Sequence, residues 1–156
     1  MRANEDEVVD ALVNRNKDII VSWESVRDQN PSEYIEKGYL DADDNVRLRT
    51  VSECCNCFGA GYKGFQGSGA KHKFEEDTDI KRLKFYPNGE WDNRLTSDGD
   101  RFTEFHINSA ENDKYAWSRL TELNQKIALF SHEKVSSTKY EAIFKGLYRV
   151  NKQESL

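Results

Sequence analysis

Long apolar runs are missing from this sequence, and no stretch approaches the length needed to cross a bilayer. The opening MRANEDEVVD also lacks the basic-then-apolar layout of a secretory signal. The expected location is therefore the cytoplasm, with no membrane partner. Histidine is scarce, and His72, His106 and His132 are too scattered for a compact His-metal nuclease motif. Cysteine is scarce as well. Cys54, Cys55 and Cys57 stand together, an odd, clustered set that makes a poor disulfide framework. With His72 or His106 they could supply four zinc ligands, but Cys-Cys-x-Cys is not the usual pair of spaced knuckles. Small buried thiols near a strand end are the favoured reading, and no metal is expected. No phosphate-binding loop or nucleophile motif of the usual spacing occurs, and neither does an internal repeat or low-complexity tract. No cofactor is expected.

What is present fits one domain, because 156 residues suffice for a real core. A formal net charge of −5 argues against broad, unspecific DNA binding, which needs a basic face. The charge is uneven, however. Acids dominate residues 5–28 and the run Asp41, Asp43, Asp44, whereas Arg47, Arg49, Lys63, Lys71, Lys73, Lys81, Arg82 and Lys84 dominate the middle.

Within that basic middle, residues 58–74 (FGAGYKGFQGSGAKHKF) hold five of the nine glycines and no acid. Glycine permits positive φ and removes the Cβ that would hold a phosphate at a distance. Lys63, Lys71 and Lys73 add charge, while Tyr62 and Phe65 add flat surfaces on which bases can stack. The duller alternative is a loop with incidental lysines.

Along the chain, Val9, Leu12, Val13, Ile19, Ile20, Trp23 and Val26 recur at helical spacing and predict an amphipathic helix over 5–27, with Pro31 past its end. From 46 to 107 the pattern is strand-like. VRLRTVS and KRLKFY alternate, and Asn88-Gly89 marks a turn between KRLKFY and EWDNRL. RFTEFHI alternates too, with Arg101, Thr103, Phe105 and Ile107 on one side and Phe102, Glu104 and His106 on the other. A second helix is predicted over 110–132, with Trp117, Leu120, Leu123, Ile127 and Phe130 buried and Ser109 as its cap. YEAIFKGLYRV (140–150) reads as a closing strand, and NKQESL as a frayed tail. The order of elements points to an α+β fold, a curved, mainly antiparallel sheet or open barrel flanked by two helices.

Directly after the Asn88-Gly89 turn come Trp91 and Asn93, two apart and so on one face of an extended strand. Glu104 lies on the next strand beside Phe102. An indole, an amide and a carboxylate meeting on a concave face suit a flat polar heterocycle. The ring stacks on the indole, and the other two groups read its edge, the carboxylate accepting from the exocyclic amine of cytosine. Each residue also has a plainer role, Trp91 as core, Asn93 in a turn and Glu104 as a solvated partner of Arg101 or Arg94.

The run CNCFGAGYKGFQ, then FYPNGEWDN, then Glu104 eleven positions after Asn93, resembles the modified-base-binding domain of hydroxymethylcytosine-dependent, type IV restriction endonucleases. Those enzymes join an N-terminal nuclease domain to a C-terminal domain of the SET-and-RING-associated (SRA) class. The resemblance covers roughly residues 38–150 and implies an SRA-like, PUA-like fold over 38–156, with 1–37 as an N-terminal helix and linker. It implies a reader of 5-hydroxymethylcytosine, glucosylated or not, that flips the base of duplex DNA into a pocket of Trp91, Asn93 and Glu104. Tyr62, Lys63, Phe65 and Gln66 would face the DNA, and Arg47, Arg49, Lys71 and Lys73 would contact phosphates. The expected partners are double-stranded DNA carrying modified cytosine, a nuclease domain or subunit, and a second copy of the chain. Trp91→Ala and Asn93→Ala are expected to abolish modified-base preference with little change in stability.

The family's nuclease core needs an Asp followed, on a neighbouring strand, by Asp/Glu-x-Lys. This sequence offers Asp79-Ile80-Lys81 with no Pro-Asp pair before it, so no catalysis is expected from the chain alone. Two rival readings remain. One is an RNA- or nucleotide-binding PUA-like domain without modified-DNA specificity. The other is an enzyme using Glu104, His106 and Asp79 around a metal.

Overall fold

A computed structural model of the chain describes residues 21–25, 46–58, 60–64, 69–71, 77–121, 126–152 and 155. Eight strands and two helices occur among them. They are β1 (Val21–Ser25), β2 (Arg47–Leu48), α1 (Val51–Asn56), β3 (Gly69–Lys71), β4 (Thr78–Leu83), β5 (Arg94–Leu95), β6 (Arg101–Glu104), α2 (Ser109–Thr121), β7 (Lys126–Lys134) and β8 (Tyr140–Val150). The sheet order is β3-β4-β7-β8-β1-β6-β5, with β2 pairing β8 beside that path. Every pairing is antiparallel except β4 with β7. The fold is thus α+β with a mostly antiparallel, curled sheet. Side chains draw β4 towards β6 across the gap that leaves the barrel open: Phe85 meets Phe102 edge-on at 5.8 Å, and Lys81 Nζ stands 4.0 Å from Glu104.

Strand β7 shows how the core is arranged. Ile127, Ala128, Leu129 and Phe130 are all buried, so the strand is covered on both faces. Ile127 and Leu129 join one apolar cluster with Val21, Trp23, Leu83, Phe102, Tyr148 and, from α2, Ala116 and Leu120. Ala128 and Phe130 join a second cluster with Phe58, Ile80, Phe144 and the α1 residues Val51, Cys54 and Cys55. Each large apolar side chain so buried contributes about 1.5–3 kcal/mol. Opposite the register shift at Leu129/Phe130, Gly146 has φ +123, which lets the long β8 bend without a side-chain clash.

Several expectations are corrected. Residues 21–25 of the predicted first helix form β1, an inner strand between β6 and β8; residues 5–20, 26 and 27 lie outside the described residues. The predicted second helix is described over Ser109–Thr121, Leu123 lies outside the described residues, and Ile127 and Phe130 belong to β7. A four-residue apolar run buried on both faces has no period of its own, so the helix pattern ran on into it. Trp117, expected in the core, is 44% exposed. Asn108 rather than Ser109 caps α2, its Oδ1 accepting from the Glu111 amide at 3.1 Å. VRLRTVS is strand only at Arg47–Leu48, because Thr50 caps α1 and accepts from the Glu53 amide at 3.1 Å. The three thiols therefore sit on and just after a helix, not near a strand end. The tail is docked at Ser155, whose Oγ accepts from the buried Ser22 amide at 2.9 Å. No helix among the described residues is long and apolar enough to cross a membrane.

Candidate nucleic-acid site at the barrel mouth

The Asn88-Gly89 turn sets the position of Trp91. Asn88 Oδ1 accepts from the amides of Glu90 and Trp91 at 3.1 and 3.0 Å, and Gly89 takes φ +83. The chain leaving this turn does not pair back onto β4, as a two-residue hairpin would. It bridges instead to the segment after β6: Trp91 opposes His106, the Asp92 amide donates to Phe105 O at 2.8 Å, and the Ile107 amide donates to Glu90 O at 2.8 Å. Burial alternates accordingly, with Asp92 exposed between half-buried Trp91 and buried Asn93.

The indole of Trp91 meets two rings edge-on, His106 at 4.7 Å and Tyr115 of α2 at 5.1 Å between centroids. Tyr115 carries this contact inward. Its hydroxyl donates to Glu104 Oε2 and accepts from Arg119 Nε at 3.1 Å and Lys81 Nζ at 3.2 Å. Trp23 Nε1 donates to the same Glu104 oxygen at 2.8 Å, and Arg119 Nη1 closes the network on Asp79 at 2.8 Å. α2 is held to the mouth from its first turn, where Asn112 Oδ1 accepts from the His106 amide at 2.9 Å.

Glu104 is 1% exposed, so the plainer reading of a solvated carboxylate paired with Arg101 or Arg94 is overturned; Arg94 pairs with Asp92 at 3.1 Å. Both oxygens lie inside the barrel, where burial is tolerated because Trp23, Tyr115 and Lys81 face them. Burial pushes the Lys81 amine down, with Glu104 opposing the shift. Burial, then the Glu104 charge, holds the Tyr115 hydroxyl well above the ordinary phenol value, so it remains a donor. Asn93 bonds backbone at both ends of its amide: Oδ1 accepts from the Phe105 amide at 3.3 Å and Nδ2 donates to Lys84 O at 3.4 Å.

Tyr115 thus joins two of the three sequence-derived residues, Trp91 to Glu104, while Asn93 fastens the intervening loop to β4 and β6. Tyr115, Lys81 and Arg119 were not foreseen as parts of this site. Their available signal was the four-residue spacing of Tyr115 and Arg119, which puts both on one helical face. His106 and Asp79 are likewise committed, His106 Nδ1 accepting from the Asn108 amide at 3.0 Å and Asp79 held by Arg119. Among the described residues no group of three His, Cys, Asp or Glu side chains gathers as a metal site would require.

The expected DNA-facing residues are spread more widely. Tyr62 is 38% exposed, and Lys63 beside it is exposed. Arg49 pairs with Glu53 at 3.6 Å and Arg47 with Glu141 at 3.9 Å, both from exposed positions. Lys71 lies in β3, and Phe65, Gln66 and Lys73 lie outside the described residues.

Comparison with solved structures finds the 5-hydroxymethylcytosine-specific restriction enzyme AbaSI at a TM-score of 0.68 and 29% sequence identity. The alignment covers 93% of this chain and 44% of that one, so this chain spans less than half the length of the enzyme it matches. Comparison with curated protein sequences finds no match. The family model of the SET and RING associated domain matches residues 33–156, and a match of that extent places the chain in the SRA domain family.

Proposed function

We propose that the chain reads 5-hydroxymethylcytosine, with or without a glucosyl group, in duplex DNA, and serves modification-dependent restriction. The proposal draws on family membership, on the likeness to an enzyme specific for that base, and on the mouth around Trp91. One observation carries it: a half-buried indole stands edge-on to Tyr115, which is itself bonded to an internal carboxylate. A flat ring and a hydrogen-bonding group therefore lie together at the end of the barrel.

A cytosine stacked in a duplex is out of reach of these groups, so the base must rotate out at a cost of a few kcal/mol. Stacking on Trp91, about 1–3 kcal/mol, offsets part of that cost. Glu104 Oε2 already accepts two hydrogen bonds, whereas Oε1 faces Lys81 at 4.0 Å, beyond hydrogen-bond reach. In this reading Oε1 accepts from the exocyclic amine, and the Asn93 amide reads the neighbouring edge with the second N–H and second lone pair that its two backbone bonds leave over. Because Glu104 is enclosed, admission of a base requires the side chains over it to part. Selectivity follows from pairing: a site that bonds the hydroxymethyl oxygen leaves a polar atom unsatisfied when cytosine or methylcytosine takes its place. DNA cleavage would fall to a nuclease domain or subunit, and two copies acting together would allow both strands to be read.

The test is a binding series with duplexes carrying cytosine, methylcytosine, hydroxymethylcytosine or glucosylated hydroxymethylcytosine, together with single-stranded RNA. The expected result is tightest binding to a hydroxymethylated duplex, with preference lost in Trp91→Ala. Equal binding to all duplexes, or tighter binding to RNA, would overturn the assignment.

A further inference from the structure

Neighbouring residues on β4 point to opposite faces of the sheet. Lys81 turns to Glu104 and Tyr115, and Arg82 turns to the face covered by α1. On that second face a groove of about 440 Å³ opens between the start of α1, residues 62–64 and β4. This is within the usual range of ligand sites, about 300–1,000 Å³. Arg49, Lys63 and Arg82 line it against one carboxylate, Glu53, a local reversal of sign in a chain of net charge −5.

The single acid is already committed. Glu53 Oε2 accepts from the Arg49 amide at 2.7 Å, and Oε1 lies 3.6 Å from the Arg49 guanidinium. Among the described residues the other two cations are not. Lys63 is exposed, and neither it nor Arg82 has an ion-pair partner among the described residues. Arg82 Nε is buried with no hydrogen-bond partner among them. A buried donor left unmade is costly, so this site gains more than a solvated arginine would from an arriving anion. The groove is also held in shape. Asn56 exchanges hydrogen bonds with the backbone of Tyr62 at 2.7 and 2.9 Å, and Ser52 Oγ donates to Gly64 O. The positive field of this face is felt at His132, whose imidazole is held below its ordinary value by burial first and then by Arg82 and Lys84.

We propose that this groove is a second nucleic-acid contact, in which Arg82 and Lys63 clasp a backbone phosphate of the duplex and Tyr62 lies against the adjoining sugar. The proposal rests on the DNA-reading function above and assigns Arg82 a role separate from the base pocket. Phosphate contacts position a duplex without reading its sequence. The groove should therefore add affinity that is blind to the cytosine modification and sensitive to salt.

Fluorescence anisotropy tests this with a hydroxymethylcytosine duplex and its unmodified twin, over roughly 50–200 mM salt. The proteins are the unaltered chain, Arg82→Gln and Lys63→Gln. Each variant should weaken both duplexes by the same factor and reduce the slope of log K against log salt by about 1. The ratio between the two duplexes should not change. An unchanged slope in both variants overturns the proposal, and so does a loss confined to the modified duplex. Lys63 is exposed, so its variant carries the test if Arg82→Gln folds poorly. Equal binding of the twins by the unaltered chain would sink the base-reading function, while a reduced slope would still support the groove.

Discussion

At the scale of single residues, Glu104 organises the barrel mouth more than any other side chain. Groups from three elements converge on it: Trp23 of β1 and Tyr115 of α2 donate hydrogen bonds, and the Lys81 amine of β4 faces it at 4.0 Å. Removing the carboxylate leaves the Trp23 indole N–H and the Tyr115 O–H without their acceptor and takes away the charge that faces the Lys81 amine. Glu104→Ala should therefore lose about 3–5 kcal/mol of unfolding free energy in urea titrations. A loss below about 1 kcal/mol would show that water reaches the site and replaces the carboxylate. Asn93→Ala, in the same titrations, should cost about 1 kcal/mol for its two backbone hydrogen bonds. The sequence-based expectation of nearly unchanged stability thus needs revision for Asn93. Nothing in a Trp-x-Asn spacing reveals that the amide also ties together the backbone just after β4 and just after β6.

At the scale of elements, α1 shows a local signal that was present but unread. Thr50-Val51-Ser52-Glu53 has the spacing of a capping box, and the cap forms at Thr50, with the Glu53 carboxylate reaching back to the Arg49 amide. Alternation in VRLRTVS spoke for a strand, and the cap overrode it after two residues. The helix then buries Cys54 and Cys55 against Phe58, Ile80 and Phe130. Burial, then the Cys57 thiol beside it, pushes the Cys55 thiol up to about 11, and burial raises Cys54 further. Both should therefore be protonated and inert at pH values near 8, because the thiolate is the nucleophile. Labelling with a thiol reagent followed by peptide mapping should leave Cys54 and Cys55 unmodified until denaturant is added. Modification of either in the native protein at the rate of an exposed thiol would show that α1 opens readily from the sheet.

At the scale of the whole molecule, the first and last strands among the described residues meet in the sheet. β1 comes from near the start, β8 from near the end, and Ser155 extends the pairing where the β8 ladder stops, binding the Ser22 amide that would otherwise be buried and unpaired. Ser155→Ala should cost about 1–3 kcal/mol with an unchanged dependence on urea. No measurable loss would mean that water satisfies Ser22 and that the tail is dispensable. β8 was legible to its boundaries because eleven residues keep an unbroken strand pattern. β1 was not, since IIVSW satisfies a helical stripe and a strand equally well, and only pairing with β6 and β8 decides between them. The α+β class survived both errors because the segments misread as helix were apolar either way. They entered the same core as strands.

The sequence alone determined the class of fold, the closing strand, the Asn88-Gly89 turn that delivers Trp91, and the family resemblance later borne out over residues 33–156. These depend on local chemistry, where a residue's type and its near neighbours set the outcome. Tertiary structure alone decided that Glu104 is enclosed rather than solvated, that Tyr115 links it to Trp91, and that Arg82 faces a groove apart from both. Those outcomes turn on which side of a strand meets which distant element. Such pairings become defined only when the sheet curls and α2 packs across its mouth.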